Sequence, residues 1–281
     1  MPHSKLIEET LERVLSRCDA GPALLSGAMR SAVFPGGARV RPALCIAVAQ
    51  ACGAEPRDAA AVAAAIELLH CASLVHDDLP CFDDADVRRG RPTVHAAYGQ
   101  PLAVLAGDGL IVTAFEALSE AGPRLAALLP AVTRAVGVPN GIVAGQAWES
   151  EPRIDLRSYH RAKTGALFVA ATTCGAICAG AEVGPWRTVG ERLGEAYQIA
   201  DDVLDYTADS AMLGKPANQD QRLDRPNAVS ALGLQGAADQ LRALIQDAAE
   251  AVPPCGGAAT LELLIRAQYD RLASVFVDVA S

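Results

Sequence analysis

Apolar residues recur along this chain at helical rather than strand spacing. Near the amino terminus, Ile7, Leu11 and Val14 fall three or four positions apart, with charged residues between them. Residues at that spacing lie on one side of an α-helix, so the segment predicts an amphipathic helix. No segment combines a run of Val, Ile and Thr with alternating apolar and polar positions, which would indicate a strand. The pattern therefore predicts an all-α fold.

Glycine and proline divide the apolar pattern into segments of helix length. Two of their clusters are at 35–37 and 139–141. The longest segment begins near Arg57 and continues to an acidic cluster that starts at Asp77. The chain has no low-complexity linker and no repeat of fixed period. We therefore expect one domain, residues 1–281, built from about ten or more helices.

The stretch from Thr164 to Ala181 carries no charged residue and is long enough to span a membrane. It contains several Thr, Cys and Gly residues, and a helix that is apolar all round is also typical of the centre of a large helical protein. We expect a buried helix here and no transmembrane segment. The amino terminus has acidic residues where a signal peptide would be apolar, so the expected location is cytoplasmic.

Composition narrows the class of partner. The net charge is −9, and nucleic-acid binding requires a basic surface for phosphates, so we expect no nucleic-acid partner. The eight cysteines include no two C-x-x-C pairs at zinc spacing, and buried free thiols are the expected state in a cytosolic protein. Alanine is abundant, which supports helices because alanine has the most favourable helix propensity.

An acidic cluster follows the longest apolar segment, with five aspartates between Asp77 and Asp86. Carboxylates gathered this closely repel one another unless a cation compensates for their charge. A set of oxygen ligands without a Cys or His pair suits Mg²⁺, which also keeps water and phosphate oxygens in its shell. Arg88 and Arg89 come directly after the cluster, and their planar guanidinium groups suit diphosphate oxygens.

A second acidic cluster occurs at Asp201, Asp202 and Asp205. In a helix, Gln198, one of the first two aspartates and Asp205 share a face, because they are three or four residues apart. A single acidic run is about as often a solvated helix face as a binding site. Two such runs that each adjoin apolar helix, facing each other across a bundle, would form a metal clamp.

At these motifs the chain resembles the trans-isoprenyl diphosphate synthases, also called the polyprenyl synthetase family. The resemblance extends over about residues 34–227. The family's two aspartate-rich motifs match Asp77, Asp78 and Asp83, and Asp201, Asp202 and Asp205. Three shorter motifs follow in the family's order, namely Arg88-Arg89-Gly90, Lys163-Thr164-Gly165 and Leu213-Gly214-Lys215-Pro216.

The resemblance implies a helical bundle around a deep central cavity and a Mg²⁺-dependent condensation. An allylic diphosphate (dimethylallyl, geranyl or farnesyl) loses pyrophosphate, and the double bond of isopentenyl diphosphate attacks the resulting cation. Three Mg²⁺ ions would be bound by Asp77, Asp78, Asp83, Asp201 and Asp205, with Asp202 in the same catalytic group. Members of the family are usually homodimers.

The same resemblance implies roles for residues outside the acidic motifs. One group is expected at the allylic diphosphate and the cation: Lys163, Thr164, Gln198, Arg88 and Lys215. Another is expected at isopentenyl diphosphate: Arg41, His70 and Arg89. Arg225 stands in a substrate-binding position where the family usually has lysine, and Glu149 where it more often has aspartate.

The isopentenyl side departs from the family pattern. Ala38 stands where most members have a lysine. Losing a charge-assisted hydrogen bond to phosphate should cost about 1.5–3 kcal/mol. Arg39 is the candidate replacement for that charge. The carboxyl end, residues 276–281, also lacks the basic tail common in the family. We expect a weakened isopentenyl site, and a non-catalytic, diphosphate-binding subunit of a heteromeric synthase is an open alternative.

Product length should depend on the helix before Asp77. Ser73 and Ala72 are four and five positions earlier, about one turn deeper. Farnesyl-making members commonly have a bulky aromatic there, and small residues leave the cavity open. This region looks like bacterial geranylgeranyl diphosphate synthases of carotenoid pathways, so we expect a twenty-carbon product. A farnesyl or longer product remains an alternative. A terpene cyclase is disfavoured by two motifs with only aspartates.

Overall fold

The computed structural model describes residues 3–34, 37–153, 155–207 and 228–277. Within these ranges the chain is almost entirely helical, as expected. The α-helices are α1 Ser4–Leu15, α2 Ala23–Val33, α3 Val40–Ala51, α4 Ala60–Asp77, α5 Val94–Tyr98, α6 Gln100–Leu118, α7 Leu125–Val136, α8 Ile142–Ala147, α9 Leu156–His160, α10 Ala166–Ala179, α11 Gly184–Thr207, α12 Ala228–Glu250 and α13 Ala258–Val277. Short 3-10 helices occupy Ser16–Ala20, Pro56–Ala59, Ser119–Arg124 and Trp148–Ser150, and a π-helical turn occupies Arg161–Gly165.

A small antiparallel ribbon follows the first acidic cluster, where the sequence pattern predicted no strand. Strand β1, Val87–Arg88, pairs with strand β2, Arg91–Pro92. Between them Arg89 and Gly90 have φ values of 53° and 73°. Two adjacent residues with positive φ form the kind of tight turn that joins two antiparallel strands. Such a two-residue strand is too short to produce an alternating pattern in the sequence.

Helices α4 and α10 form the interior of the bundle. Helix α4 packs mainly against α6 and α3, while α10 packs against α3, α7 and α11. The uncharged stretch that includes α10 is buried, as predicted, with Phe168, Thr172 and Cys174 fully inaccessible to solvent. Close approach requires small residues: a Cβ added at Gly175 would lie 2.5 Å from the carbonyl oxygen of Cys45 on α3.

Three helical stretches are long and apolar enough to cross a membrane, judged by length and composition alone. They are Pro56–Asp77, Gln100–Val136 and Arg157–Ala179, and within their most apolar windows 72%, 44% and 67% of residues are buried. The first and third stretches are therefore mainly interior helices. The second leaves more of its apolar surface exposed, including Val104, Leu105 and Val112 on α6.

All eight cysteines are free thiols, as predicted. Cys45, Cys71, Cys174 and Cys178 are buried, but the expectation of burial is wrong for Cys81, which is exposed. Cys81 lies in the acidic loop after α4, where the chain leaves the core to present carboxylates.

Candidate active site

The predicted site residues converge on one cavity of about 410 Å³. Its wall comes from the start of α3, from α4, the first acidic loop, the π-helical turn and α11. The predicted residues that line it are Arg41, His70, Ser73, Asp77, Asp83, Arg88, Arg89, Lys163, Thr164, Gln198, Asp201 and Asp202. Asp78 and Ala72 do not line this cavity and are 4% and 1% exposed. Lys215 and Arg225 lie outside the described residues, as does the side chain of Asp205.

One face of α4 forms a wall of the cavity. Glu67, His70, Ser73, Leu74 and Asp77 all line it, and they are three or four residues apart. Asp77 is the last residue of the helix, so its carboxylate stands at the mouth of that wall. The small side chain of Ser73 lies one turn deeper, as the sequence predicted.

Asp78 holds Arg88 in place. The Arg88 Nε donates to both carboxylate oxygens of Asp78, at 2.8 and 3.0 Å, and its Nη2 lies 2.6 Å from Oδ1. Burial raises the pKa of Asp78, whereas the hydrogen bond from Arg88 lowers it. The pair fixes the guanidinium at the edge of the cavity. In the first motif, therefore, Asp77 and Asp83 line the cavity, whereas Asp78 positions Arg88.

Lys163 belongs to the π-helical turn Arg161–Gly165. Such turns are rare and occur often at functional sites. Its Nζ donates to Glu149 and lies 3.7 Å from Asp77. Burial alone would lower the pKa of Lys163, but Asp77 and Glu149 raise it above its usual range, so the amine stays charged. A Cβ at Gly145 would lie 2.5 Å from the Lys163 backbone nitrogen, so a residue larger than glycine would push α8 away from this turn.

The second motif also has a buried, hydrogen-bonded member, although Asp201 and Asp202 both line the cavity. Thr164 Oγ1 donates to Gln198 Oε1 at 2.5 Å, and Gln198 Nε2 donates to Asp202 Oδ1 at 2.8 Å. The backbone N–H of Ala228 donates to the other oxygen of Asp202 at 2.7 Å. Asp202 is 3% exposed, whereas Asp201 is exposed at the cavity. Asp202 therefore orders Gln198 and the start of α12, and Asp201 presents its carboxylate to the cavity.

Arg41, His70 and Arg89, the residues expected at isopentenyl diphosphate, line the same cavity. The Arg41 guanidinium lies 4.6 Å from the centroid of the Phe168 ring, and its Nη1 is 3.4 Å from His70 Nε2. Burial lowers the pKa of both groups, and Arg41 lowers that of His70 further, so the imidazole is neutral. The Arg41 Nε is buried without a hydrogen-bond partner within the described ranges. The Arg89 guanidinium lies against Gly37.

Arg39, the candidate replacement for the charge missing at Ala38, lines the cavity but is bound to acidic residues and to a carbonyl group. Its Nη1 donates to Glu67 and its Nε to Glu8, each at 2.8 Å, and its Nη2 donates to the carbonyl of Val33 at 2.8 Å. Arg39 is 5% exposed, so its charge is balanced inside the protein. The physical reason is that Glu67 is itself buried on α4 and requires a cation beside it.

The acidic residues fit Mg²⁺ by chemistry. Asp77 and Asp83 from one motif and Asp201 from the other line the same cavity, and all offer carboxylate oxygens. In the part of the chain described, no group of three or more His, Cys, Asp or Glu residues is close enough to hold an ion. That part does not include the side chain of Asp205.

Comparison with known proteins identifies the family. The model of the polyprenyl synthetase family matches residues 22–255. The chain belongs to the polyprenyl synthetase family. It is 50% identical to the geranylgeranyl diphosphate synthase of Cereibacter sphaeroides over 97% of each chain, and 47% identical to that of Rhodobacter capsulatus over 98% of each. The resemblance seen in the sequence is therefore confirmed.

Solved structures confirm the isoprenoid synthase fold. The geranyltranstransferase of Thermotoga maritima superimposes with a TM-score of 0.82 at 27% identity, covering 98% of this chain and 100% of that one. The geranyltransferase of Helicobacter pylori, complexed with magnesium and isoprenyl diphosphate, gives 0.75 at 28% identity, covering 99% and 98%. This polyprenyl synthetase is accordingly a trans-prenyltransferase.

Several polar residues at the cavity were not among the predicted site residues. Gln146 Nε2 donates to Asp77 Oδ1 at 2.6 Å, and the Tyr159 hydroxyl donates to Glu149 at 2.7 Å. Glu67 and Tyr197 also line the cavity. Burial raises the pKa of Tyr197 to about 12, so its hydroxyl is a neutral donor. The sequence contains no motif for these residues, because each contacts a partner on another segment of the chain.

We expect Arg88→Ala to destabilise this polyprenyl synthetase by about 1–3 kcal/mol, because it leaves the buried Asp78 carboxylate without its arginine. Urea unfolding at neutral pH measures the change. Adding Asp78→Asn to the variant should restore part of the lost stability, since the amide is neutral. A double variant less stable than Arg88→Ala would contradict this account of the pair.

Proposed function

We propose that this prenyltransferase condenses isopentenyl diphosphate with allylic diphosphates, from dimethylallyl to farnesyl, to make geranylgeranyl diphosphate. The observation that carries the proposal is the convergence of Asp77 and Asp83 with Asp201 on one cavity that also contains Lys163. The relatives named geranylgeranyl diphosphate synthase support the product. The small side chain of Ser73 on the cavity wall supports it as well.

Each side of the cavity has a proposed role at the allylic diphosphate. Asp77, Asp83, Asp201 and Asp205 hold Mg²⁺, with three ions expected, and bound Mg²⁺ stabilises the charge of the diphosphate leaving group. Asp78 contributes by holding Arg88, so its role as a direct metal ligand is less favoured by the contacts described above.

The protein's own polar groups act on the developing cation. Lys163, charged and fixed by Glu149, binds diphosphate oxygens. Thr164 and Gln198 are hydrogen-bonded to each other, so their dipoles are already oriented when the cation forms, and such fixed dipoles lose no free energy to reorientation. The apolar side chains of Leu74 and Leu167 line the same cavity and help to exclude water from the cation.

The isopentenyl diphosphate is proposed to bind against Arg41, His70 and Arg89. Among the described residues the buried Arg41 Nε has no hydrogen-bond partner, so this donor is not used within the protein. Ala38 lines the cavity where a lysine would add charge, and Arg39 is engaged with Glu67. We therefore expect weak binding of this substrate. The same feature favours the second candidate, a diphosphate-binding subunit without activity of its own.

Several further expectations accompany the proposal. We expect a homodimer, for which the exposed Val104, Leu105 and Val112 of α6 offer an apolar face. We also expect a single domain over residues 1–281, a cytoplasmic location and no nucleic-acid partner. A twenty-carbon product is the kind used in carotenoid pathways.

A condensation assay tests the function directly. The purified chain, Mg²⁺, radiolabelled isopentenyl diphosphate and allylic primers of three lengths should yield a labelled twenty-carbon product, and EDTA should abolish it. Asp201→Asn should lower kcat about a hundredfold or more, by loss of charge at the leaving group. Asp247→Asn, an exposed acid on α12 outside the cavity, is the matched control. Labelled substrate that binds without condensing would favour the non-catalytic subunit.

We expect Ala38→Lys to lower the KM for isopentenyl diphosphate about tenfold with little change in kcat, because it adds one charge-assisted hydrogen bond to phosphate. Steady-state kinetics with the allylic primer in excess measures both constants. Ala38→Gln is the control, since it adds a side chain of similar reach without the charge. An unchanged KM in Ala38→Lys would mean that the site is already compensated.

We expect Ser73→Phe to shorten the product to fifteen carbons, because the ring would block the wall one turn below Asp77. Ala72→Phe or Ala72→Tyr should act in the same direction but more weakly, since Ala72 does not line the cavity. Chromatography of the dephosphorylated products measures chain length. If all three variants still make the twenty-carbon product, the floor of the cavity lies elsewhere.

A further inference from the structure

A second groove, of about 600 Å³, lies on the opposite side of the π-helical turn. It is bordered by α7, α10 and α11 and shares no lining residue with the acidic cavity. Much of its surface is apolar, including Val138, Pro139, Val169, Ile177 and Val183. An apolar groove of this size is a candidate site for a small molecule with an aliphatic part.

Three arginines border the groove, one from each side: Arg134 from α7, Arg161 from the π-helical turn and Arg187 from α11. All three are exposed. Arg134 Nε donates to the carbonyl of Pro130 at 3.0 Å. Within the described ranges none of the three forms an ion pair, although Glu191 also lines the groove.

Several other arginines of this protein form ion pairs with acidic residues. Elsewhere on its surface Arg13 and Arg17 pair with Glu120, and Arg30 pairs with Glu12. The whole chain carries a net charge of −9. Three cations without ion-pair partners around one groove create a local positive potential on an otherwise acidic protein. Guanidinium groups are well suited to phosphate oxygens.

We propose that this groove binds an amphiphilic phosphate ester, an isoprenoid chain that ends in diphosphate. The apolar wall of the groove would contact the isoprenoid chain of the ligand, and the three arginines would bind its diphosphate group. The inference rests on the proposed function for its source of ligand, since the product of that reaction has this chemistry. The binding itself requires neither Mg²⁺ nor the two aspartate motifs.

The groove is connected to Lys163 through the π-helical turn. Arg161 lines the groove and Lys163 lines the acidic cavity, yet both belong to one π-helical turn. Helix α11 is tightly packed on α10 here, because a Cβ at Gly190 would lie 2.6 Å from the Cα of Val169. An occupant held between Arg161 and Arg187 would therefore brace the Lys163 turn from its far side.

Isothermal titration calorimetry with farnesyl thiolodiphosphate, an unreactive analogue, tests the proposal in EDTA, which removes the Mg²⁺ that the aspartate motifs would hold. The arginines of the acidic cavity remain accessible to the diphosphate in EDTA, so the groove is identified by the response to Arg187→Glu. We expect one binding event, weakened about tenfold or more by Arg187→Glu, a factor that corresponds to about 1.4 kcal/mol. Arg192→Glu is the matched control, because Arg192 lies on the same helix, pairs with Glu195 and is outside the groove. It should change the affinity less than twofold.

Several results would overturn the proposal. One is an absence of binding in EDTA, and another is an equal effect of the two variants on affinity. A third is competition by inorganic pyrophosphate as strong as that by the analogue, which would indicate a site for the anion alone. Binding to phosphatidylglycerol vesicles alone would indicate a membrane surface instead. A loss of the dimer in Arg187→Glu, seen by gel filtration, would indicate a subunit interface.

The two proposals fail separately. Arg187→Glu should retain Mg²⁺-dependent condensation at low product concentration, because it lies outside the catalytic cavity. If the chain binds the analogue in EDTA with the expected loss in Arg187→Glu, but does not condense substrates, the groove stands and the proposed function is wrong. If it condenses substrates but shows no binding in EDTA, the reverse holds.

Discussion

The active end of this protein depends on one electrostatic constraint, which is the convergence of carboxylates from two helices on a single cavity. Carboxylates gathered around one cavity disfavour each other's ionised form unless cations lie among them. Arg88 binds Asp78, and Lys163 lies between Asp77 and Glu149. These pairs balance the negative charge of the acids and also orient the cations that a diphosphate would meet. The other acids at the cavity keep it suited to a divalent cation.

Close helix packing makes this convergence possible. The acidic motifs lie at the end of α4 and near the end of α11, which are connected through α10. Gly175 lets α10 approach α3, and Gly190 lets α11 approach α10, because a Cβ at either position would meet backbone atoms within 2.6 Å. At the site itself Gly145 admits the π-helical turn that carries Lys163. Small residues at a few contacts thus fix the separation of charged groups that are distant in sequence.

The isopentenyl side follows the same principle with a different outcome. Glu67 is buried in α4 and is neutralised by Arg39, which also binds Glu8. Because Arg39 forms these ion pairs, its charge is balanced by acids, although Arg39 is adjacent to Ala38 in sequence. The positive charge proposed to bind this substrate therefore comes from Arg41 and Arg89, which line the cavity. A charged residue next to a missing charge in the sequence does not replace that charge when a buried acid binds it instead.

The amino-acid sequence by itself determined the helical fold, the family and the composition of both aspartate motifs, because periodicity and motif spacing are local properties of a chain. Only the tertiary structure decided which members of each motif face the cavity. Asp78 accepts hydrogen bonds from Arg88 and does not line the cavity, whereas Asp77 does. Asp202 lines the cavity beside Asp201, but it is only 3% exposed and accepts a hydrogen bond from Gln198. The burial and the partners that separate adjacent, chemically identical aspartates arise only when helices distant in sequence pack together.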